Sequence, residues 1–262
     1  MAKELASRVA LVTGGATGIG LATARFLARD GATVYIGVRD VARGREVAED
    51  GANQGLDLRA VRMDVANAES VRAAFVEIDR AGRLDIVVNN AGINMVGRVE
   101  DLSEGDWDAA LDTNLKGAFL VTRQAIPRLR STGGGVIVNV ASNAGLLARP
   151  DEPAYSTSKA GLLMLTRSLA RAHAPDRIRV NAVCPGPVGN TGIMDRALAA
   201  AADPAAALDA SLRTAPLAAA LGRPIDASEV AALIRYLCSD AAVMITGATI
   251  TIDGGKSLAG PG

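Results

Sequence analysis

The chain has 262 residues, 49% hydrophobic and 21% charged, and its 28 Lys+Arg balance its 28 Asp+Glu to a formal net charge of zero. That balance gives no global attraction to nucleic acid, the apolar content excludes a disordered chain, and the length allows one large α/β domain to bury its core without staples. Two distant cysteines, Cys184 and Cys238, and one histidine, His173, exclude a disulfide framework and leave no metal constellation.

Residues 8–13 (RVALVT) read as a buried strand and 18–30 as a helix, with Ile19, Ala22, Phe26 and Leu27 on one face and Gly31 as its stop. A second strand over 33–38 precedes a polar helix over 41–50. Strand 58–63, helix 68–80 and strand 84–88 follow. Ser103 and Asp106 resemble a capping box before a helix over 106–129. After the turn at Gly133–Gly135, strand 136–140 leads into an amphipathic helix over 155–174. Strand 178–183, helix 227–237 and strand 248–252 complete the pattern, and residues 258–262 read as a loose end.

Strands alternating with helices, and strands apolar on both faces, predict a Rossmann-like doubly wound parallel sheet of about seven strands with helices on both sides. No linker divides the chain, so a single domain spans 1–262. The Ala-rich stretch 187–221 reads as an inserted substrate loop or lid. The first eight residues have no apolar core, no secretory signal is expected, and no apolar run reaches the 18 or so residues of a membrane span. The expected location is the cytoplasm, with no membrane partner.

Two motifs carry chemistry. Thr13-Gly14-Gly15-Ala16-Thr17-Gly18-Ile19-Gly20 lies between the first strand and first helix. Glycines let phosphates approach the backbone, and a helix start offers free N–H groups to an anion. The spacing G-x-x-x-G-x-G is neither G-x-G-x-x-G nor a Walker loop. Tyr155 and Lys159 stand at i and i+4 of a helix, where a nearby ammonium is expected to pull the phenol pKa down and make Tyr155 a usable general acid or base. Pro153 suits the first turn of that helix.

Taken together, these residues resemble the short-chain dehydrogenase/reductase family. Thr13 to Gly20 matches its TGxxxGxG loop, Asn89-Asn90-Ala91-Gly92 its NNAG motif, and Pro185-Gly186 its turn after the sixth strand. Asn114, Ser142, Tyr155 and Lys159 fall in the order of its Asn-Ser-Tyr-Lys tetrad. The likeness extends over roughly residues 7–256 and is nearest to bacterial 3-oxoacyl-thioester and ketone reductases.

The resemblance implies an NAD(P)(H)-dependent oxidoreductase that interconverts a carbonyl and a secondary alcohol. Tyr155 would pass the proton, Ser142 would position the carbonyl, Lys159 would hold the nicotinamide ribose, and Asn114 would support a water that relays protons to Lys159. Cofactor contacts are expected from Gly14, Thr17, Gly18, Ile19, Gly20, Arg39, Asp64, Val65, Asn90, Ala91, Gly92, Pro185, Gly186 and Val188. Asp64 would face adenine. Asn190 or Thr191 would reach the carboxamide. The family's usual acidic position at the end of the second strand aligns with Val38, and Arg39 follows it, which favours NADP(H) over NAD(H). Relatives commonly form homotetramers, here through the helices that carry Asn114 and Tyr155 and through the C-terminal strand. Leu162, Leu165 and Leu169 would supply that interface or the monomer core. Arg128 and Arg130 are candidates to meet an acyl-carrier substrate, while Ile193, Met194, Ala197 and Leu198 offer an apolar wall suited to an apolar or alicyclic ketone. The alternative is a non-catalytic nucleotide sensor on the same scaffold.

Overall fold

A computed structural model describes residues 3–258. Seven parallel strands, β1 (Val9–Thr13), β2 (Thr33–Val38), β3 (Leu58–Arg62), β4 (Ile86–Asn89), β5 (Gly135–Val140), β6 (Ile178–Pro185) and β7 (Thr249–Ile252), form one sheet in the order β3-β2-β1-β4-β5-β6-β7. This is the doubly wound sheet the sequence predicts. The chain reverses its direction of growth between β1 and β4, and their carboxyl ends open a crevice there.

Strand side chains alternate between two cores. Ala10 and Val12 of β1 pack on one side with α1 (Gly18–Arg29) and α10 (Ala227–Cys238). Val9 and Leu11 pack on the other with α3 (Ala68–Ile78) and α5 (Gly117–Ser131). Burial on both faces explains the unbroken apolar run of β1, and α2 (Val41–Asn53) lies beside β2 and β3.

Several sequence expectations shift. The buried stripe of α1 is Gly20, Thr23, Ala24, Leu27 and Ala28, whereas Ile19, Ala22 and Phe26 are only half buried. Small residues face inward because the helix start must lie close against the β1 loop. Gly31 adopts φ +98 just past the end of α1 and stops it as expected. Ser103 caps α4 (Glu104–Leu111) by accepting the Asp106 N–H at 3.1 Å, so the helix begins two residues earlier than expected. It is also not continuous: Asp112–Lys116 form a single π-helical turn before α5. Periodicity misses this turn because one extra residue rotates the apolar stripe without ending it.

Pro153 opens α6 (Pro153–His173), which places Tyr155 in its first turn. Leu162 belongs to the monomer core, with Leu165 partly buried beside it and Leu169 beside the neighbouring core. Residues 187–221 carry α7 (Gly192–Ala199), α8 (Pro204–Arg213) and α9 (Pro216–Leu221), and α7 buries none of its residues. Of the expected loose end, residues 259–262 lie outside the described residues. No described helix is long and apolar enough to cross a membrane.

Candidate active site

A cavity of about 480 Å³ opens at the carboxyl ends of β1, β4, β5 and β6. Gly14, Thr17, Gly18, Ile19, Arg39, Asp64 and Val65 line one end. Asn90, Ala91, Gly92, Ser142, Tyr155, Lys159, Pro185, Gly186 and Val188 line the middle and the other end. Of the catalytic residues and the cofactor contacts expected from the glycine loop to Val188, two do not face it. Gly20 lies beneath the loop, where a Cβ would collide with the Gly14 carbonyl and with Asn90 Nδ2, so its part is close packing rather than contact. Asn114 is 1% exposed and sits behind the lining.

The glycine loop is held from β4. Thr13 Oγ1 accepts the Asn90 and Ala91 N–H groups, both at 3.0 Å, and Asn90 Nδ2 donates to the Thr13 carbonyl at 2.9 Å and to the Gly14 carbonyl at 3.2 Å. Gly14 and Gly18 adopt φ +64 and +49, a region that side-chain-bearing residues enter at a cost. Thr13 was not among the sequence candidates. Its signal was visible, since a hydroxyl at the end of an apolar strand needs a buried partner.

Asn89 points away from the cavity. Its Nδ2 donates to Asn139 Oδ1 at 2.8 Å and to Thr122 Oγ1 at 3.2 Å, and Asn139 Nδ2 reaches Thr166 Oγ1 at 2.8 Å. This buried polar chain ties β4 and β5 to α5 and α6. Of the paired asparagines, one therefore braces the core and the other braces the loop.

The π turn aims Asn114 backwards. Its Oδ1 accepts the Ile93 N–H at 2.8 Å, and its Nδ2 donates to the Ile93 carbonyl at 2.9 Å and to Ser158 Oγ at 3.0 Å. A Cβ at Gly92 would stand 3.2 Å from Asn114 Oδ1 and 3.4 Å from Lys159 Nζ, so only glycine keeps the space between those two groups clear.

Lys159 Nζ donates to the Val140 carbonyl at 3.0 Å and lies 5.6 Å from the centroid of the Tyr155 ring. Burial pulls this ammonium down to about 8. Burial also pushes the Tyr155 phenol above its ordinary value, only partly offset by the adjacent Ser142 hydroxyl and the Arg149 charge. The expected lowering of the phenol by Lys159 is thus not found: the ammonium is spent on a backbone carbonyl, and desolvation of the phenolate dominates. Cys184 nearby is buried, and burial holds its thiol up at about 11, unsuited to a nucleophile.

At the second-strand end, Arg39 is exposed on the cavity rim and forms no ion pair among the described residues. Asp40 does not oppose it; its carboxylate accepts the Arg43 N–H at 3.1 Å and caps α2. Asp64 lines the same end, with Oδ1 accepting the Ala66 N–H at 3.1 Å. In the loop after Pro185, Asn190 takes φ +53 and is exposed, while Thr191 lines the cavity and donates to the Val188 carbonyl at 2.9 Å. Ile193, Met194 and Ala197 reach the cavity, and Leu198 does not. Arg128 and Arg130 are taken by Asp79 and Asp176, and neither lines the cavity.

A family model described as short chain dehydrogenase matches residues 8–201. The chain is a short-chain dehydrogenase. It is 39% identical over 262 residues to cis-4-hydroxycyclohexanecarboxylate dehydrogenase of Sinomonas cyclohexanicum, covering 97% of this chain and 98% of the relative. It is 36% identical over 249 residues to cyclopentanol dehydrogenase of Comamonas testosteroni, covering 95% and 96%. The crystal structure of a short-chain type dehydrogenase/reductase from Mycobacterium marinum matches with TM-score 0.88 at 33% identity, over 97% of each chain. This short-chain dehydrogenase is accordingly an NAD(P)-dependent oxidoreductase acting on CH–OH groups, and the non-catalytic alternative finds no support.

The site fits a nicotinamide dinucleotide. The start of α1 offers N–H groups beneath two positive-φ glycines, Asp64 stands at one end of a continuous cavity, and Tyr155 with Lys159 stands at the other. A Cβ at Gly14 would come within 3.1 Å of Ala91 and Asn90, so glycine lets the loop lie close against the end of β4.

Proposed function

We propose that this short-chain dehydrogenase interconverts a small-molecule ketone and its secondary alcohol, with Tyr155 as general acid in reduction and general base in oxidation. The observation that carries this reading is the convergence of Tyr155, Ser142 and Lys159 on one cavity with the glycine loop. The bound nicotinamide supplies or accepts the hydride. Tyr155 Oη hands its proton to the substrate oxygen as negative charge builds there, and the Ser142 hydroxyl orients that oxygen. Lys159 holds the nicotinamide ribose and, with the cofactor in place, offsets charge on the phenolate. Asn114 fixes Ile93 and flanks the cleared space at Gly92, the route for a water that relays protons to Lys159.

Arg39 supports a preference for NADP(H) over NAD(H): it is an unpaired guanidinium at the end of β2, where Val38 offers no carboxylate to a free ribose hydroxyl. Residues 187–221 form the substrate lid of a single domain spanning 1–262, with Thr191 rather than Asn190 toward the carboxamide. The enzyme works in the cytoplasm, without nucleic acid or membrane partners. It assembles as a homotetramer through α5 and α6, where Phe119 and Met164 remain 46% and 59% exposed.

The deciding experiment measures NADPH and NADH oxidation by the purified protein with cyclic and linear ketones, and NADP⁺ and NAD⁺ reduction with the matching alcohols. Turnover is expected with at least one substrate, faster with the phosphorylated cofactor. In Tyr155→Phe, kcat is expected to fall by about 10²–10⁴ with cofactor binding retained. Unchanged turnover in Tyr155→Phe overturns the proton role. An equal rate with both cofactors, or one unaffected by Arg39→Gln, overturns the cofactor preference.

A further inference from the structure

The far end of the cavity, beyond Tyr155, is lined by charge that hydride transfer to a neutral ketone does not require. Arg149, Glu152 and Lys256 all face it. Glu152 is fully engaged: Oε2 pairs with Arg149 at 2.7 Å, and Oε1 accepts Asn94 Nδ2 at 3.0 Å. Arg149 is anchored on its other side by Asn143 Oδ1 at 2.5 Å. Arg149 and Glu152 therefore cancel as a fixed pair.

Lys256 is different. It is half buried and makes no ion pair or side-chain hydrogen bond among the described residues. Of the two carboxylates that act on it, Glu152 is held by Arg149 and Asn94, and Asp253 is committed to its own turn, with Oδ1 accepting the Gly255 N–H at 3.0 Å and Oδ2 the Ser257 N–H at 2.8 Å. A half-buried ammonium without a partner is costly, and such groups are usually paired. Burial first, and then Arg149, pull Lys256 below the ordinary lysine value, with Glu152 and Asp253 only partly opposing them.

We propose that Lys256 is a specificity residue that receives a carboxylate of the substrate, so that the enzyme acts on hydroxy acids and keto acids in preference to neutral alcohols and ketones. This rests on the oxidoreductase reading above and adds the substrate class. A carboxylate fits better than a phosphate monoester because one uncompensated positive charge matches a monoanion. The Arg149–Glu152 pair, fixed and mutually neutralised, leaves Lys256 as a free charge at this end among the described residues. The charge-assisted bond forms in ground state and transition state alike, so it acts mainly on KM.

The test assays wild type with both cofactors on a series of cyclic and linear hydroxy acids, each against its own carboxamide and the corresponding phosphate monoester. For the best-fitting scaffold, kcat/KM for the acid is expected to exceed that for the amide by about 10- to 100-fold. In Lys256→Met that ratio should collapse to within about threefold of one, through a rise in KM for the acid. Lys256→Arg should keep most of it, and Arg72→Met, a surface charge change on α3, should leave it unaltered. Lys256→Gln serves if the Met variant does not fold. Equal use of acid and amide by wild type, a ratio that survives both neutral variants, or preference for the phosphate ester overturns the inference. Turnover of neutral ketones alone overturns it while leaving the oxidoreductase reading intact. No turnover of any substrate with either cofactor sinks both.

Discussion

The two ends of the cavity are built differently. The glycine-loop end rests on β1, whose residues are all buried, and is latched to β4 by Thr13 and Asn90. The end proposed as the lid rests on α7, which buries none of its residues, and on α8 and α9, which bury one residue each, Leu212 and Ala218. These two, with Ala215 and the partly buried Leu208, form a small cluster of their own, apart from the cores that clamp the sheet. The chemistry proposed for the site therefore stands on the well-buried part of the molecule. The residues of the proposed lid stand on segments with few buried contacts, the low-stability end of a fold, whereas Lys256 reaches the cavity from the turn after β7.

Among changes at the site itself, breaking the latch should give the largest effect. Thr13→Val keeps the shape but strands two N–H groups beside a residue that is 2% exposed. A loss of about 2–4 kcal/mol in urea unfolding is expected, together with weaker cofactor binding by fluorescence titration. Unchanged stability would show that the loop is held by its glycine geometry alone.

Lys159 sharpens the comparison through pH. Burial lowers its folded-state value to about 8 from 10.5, so between those values the unfolded chain binds more protons than the folded one. The cost of the buried charge is then complete below pH 8 and fades toward pH 10.5 as the group loses its proton on both sides. Lys159→Met is expected to be inactive yet more stable than wild type at pH 7 by at most about 3 kcal/mol, with the gap closing as pH rises. Melting or urea curves across pH 7–10 check it, and a gap independent of pH would refute the assignment to this ammonium.

The smallest effect on stability should come from the lid. Leu212→Ala is expected to cost less than about 1 kcal/mol globally, because its cluster can open without the sheet, whereas Leu27→Ala in the main core should cost about 2–5 kcal/mol. The lid variant should instead raise KM for the substrate several-fold with cofactor affinity held. A shared loss of stability in both variants would mean that the lid and the sheet unfold as one unit.

Much of this was legible in the residue order. The alternation of apolar strand and helix fixed a doubly wound sheet, and the TGxxxGxG loop, the NNAG run and the Tyr155–Lys159 spacing located the cavity, because local patterns obey local rules of burial and backbone freedom. Other properties required side chains that meet only when the chain is folded. The π turn at Asp112–Lys116 turned Asn114 toward Ile93, and the β4 latch gave Thr13 its purpose. Burial raised the phenol that sequence proximity to Lys159 was expected to lower. The C-terminal turn carried Lys256 to the same cavity as Tyr155, about a hundred residues upstream. Residue order determines which way each strand and helix faces its core, whereas solvation and charge at a site depend on everything that surrounds it, and only the tertiary structure decides that.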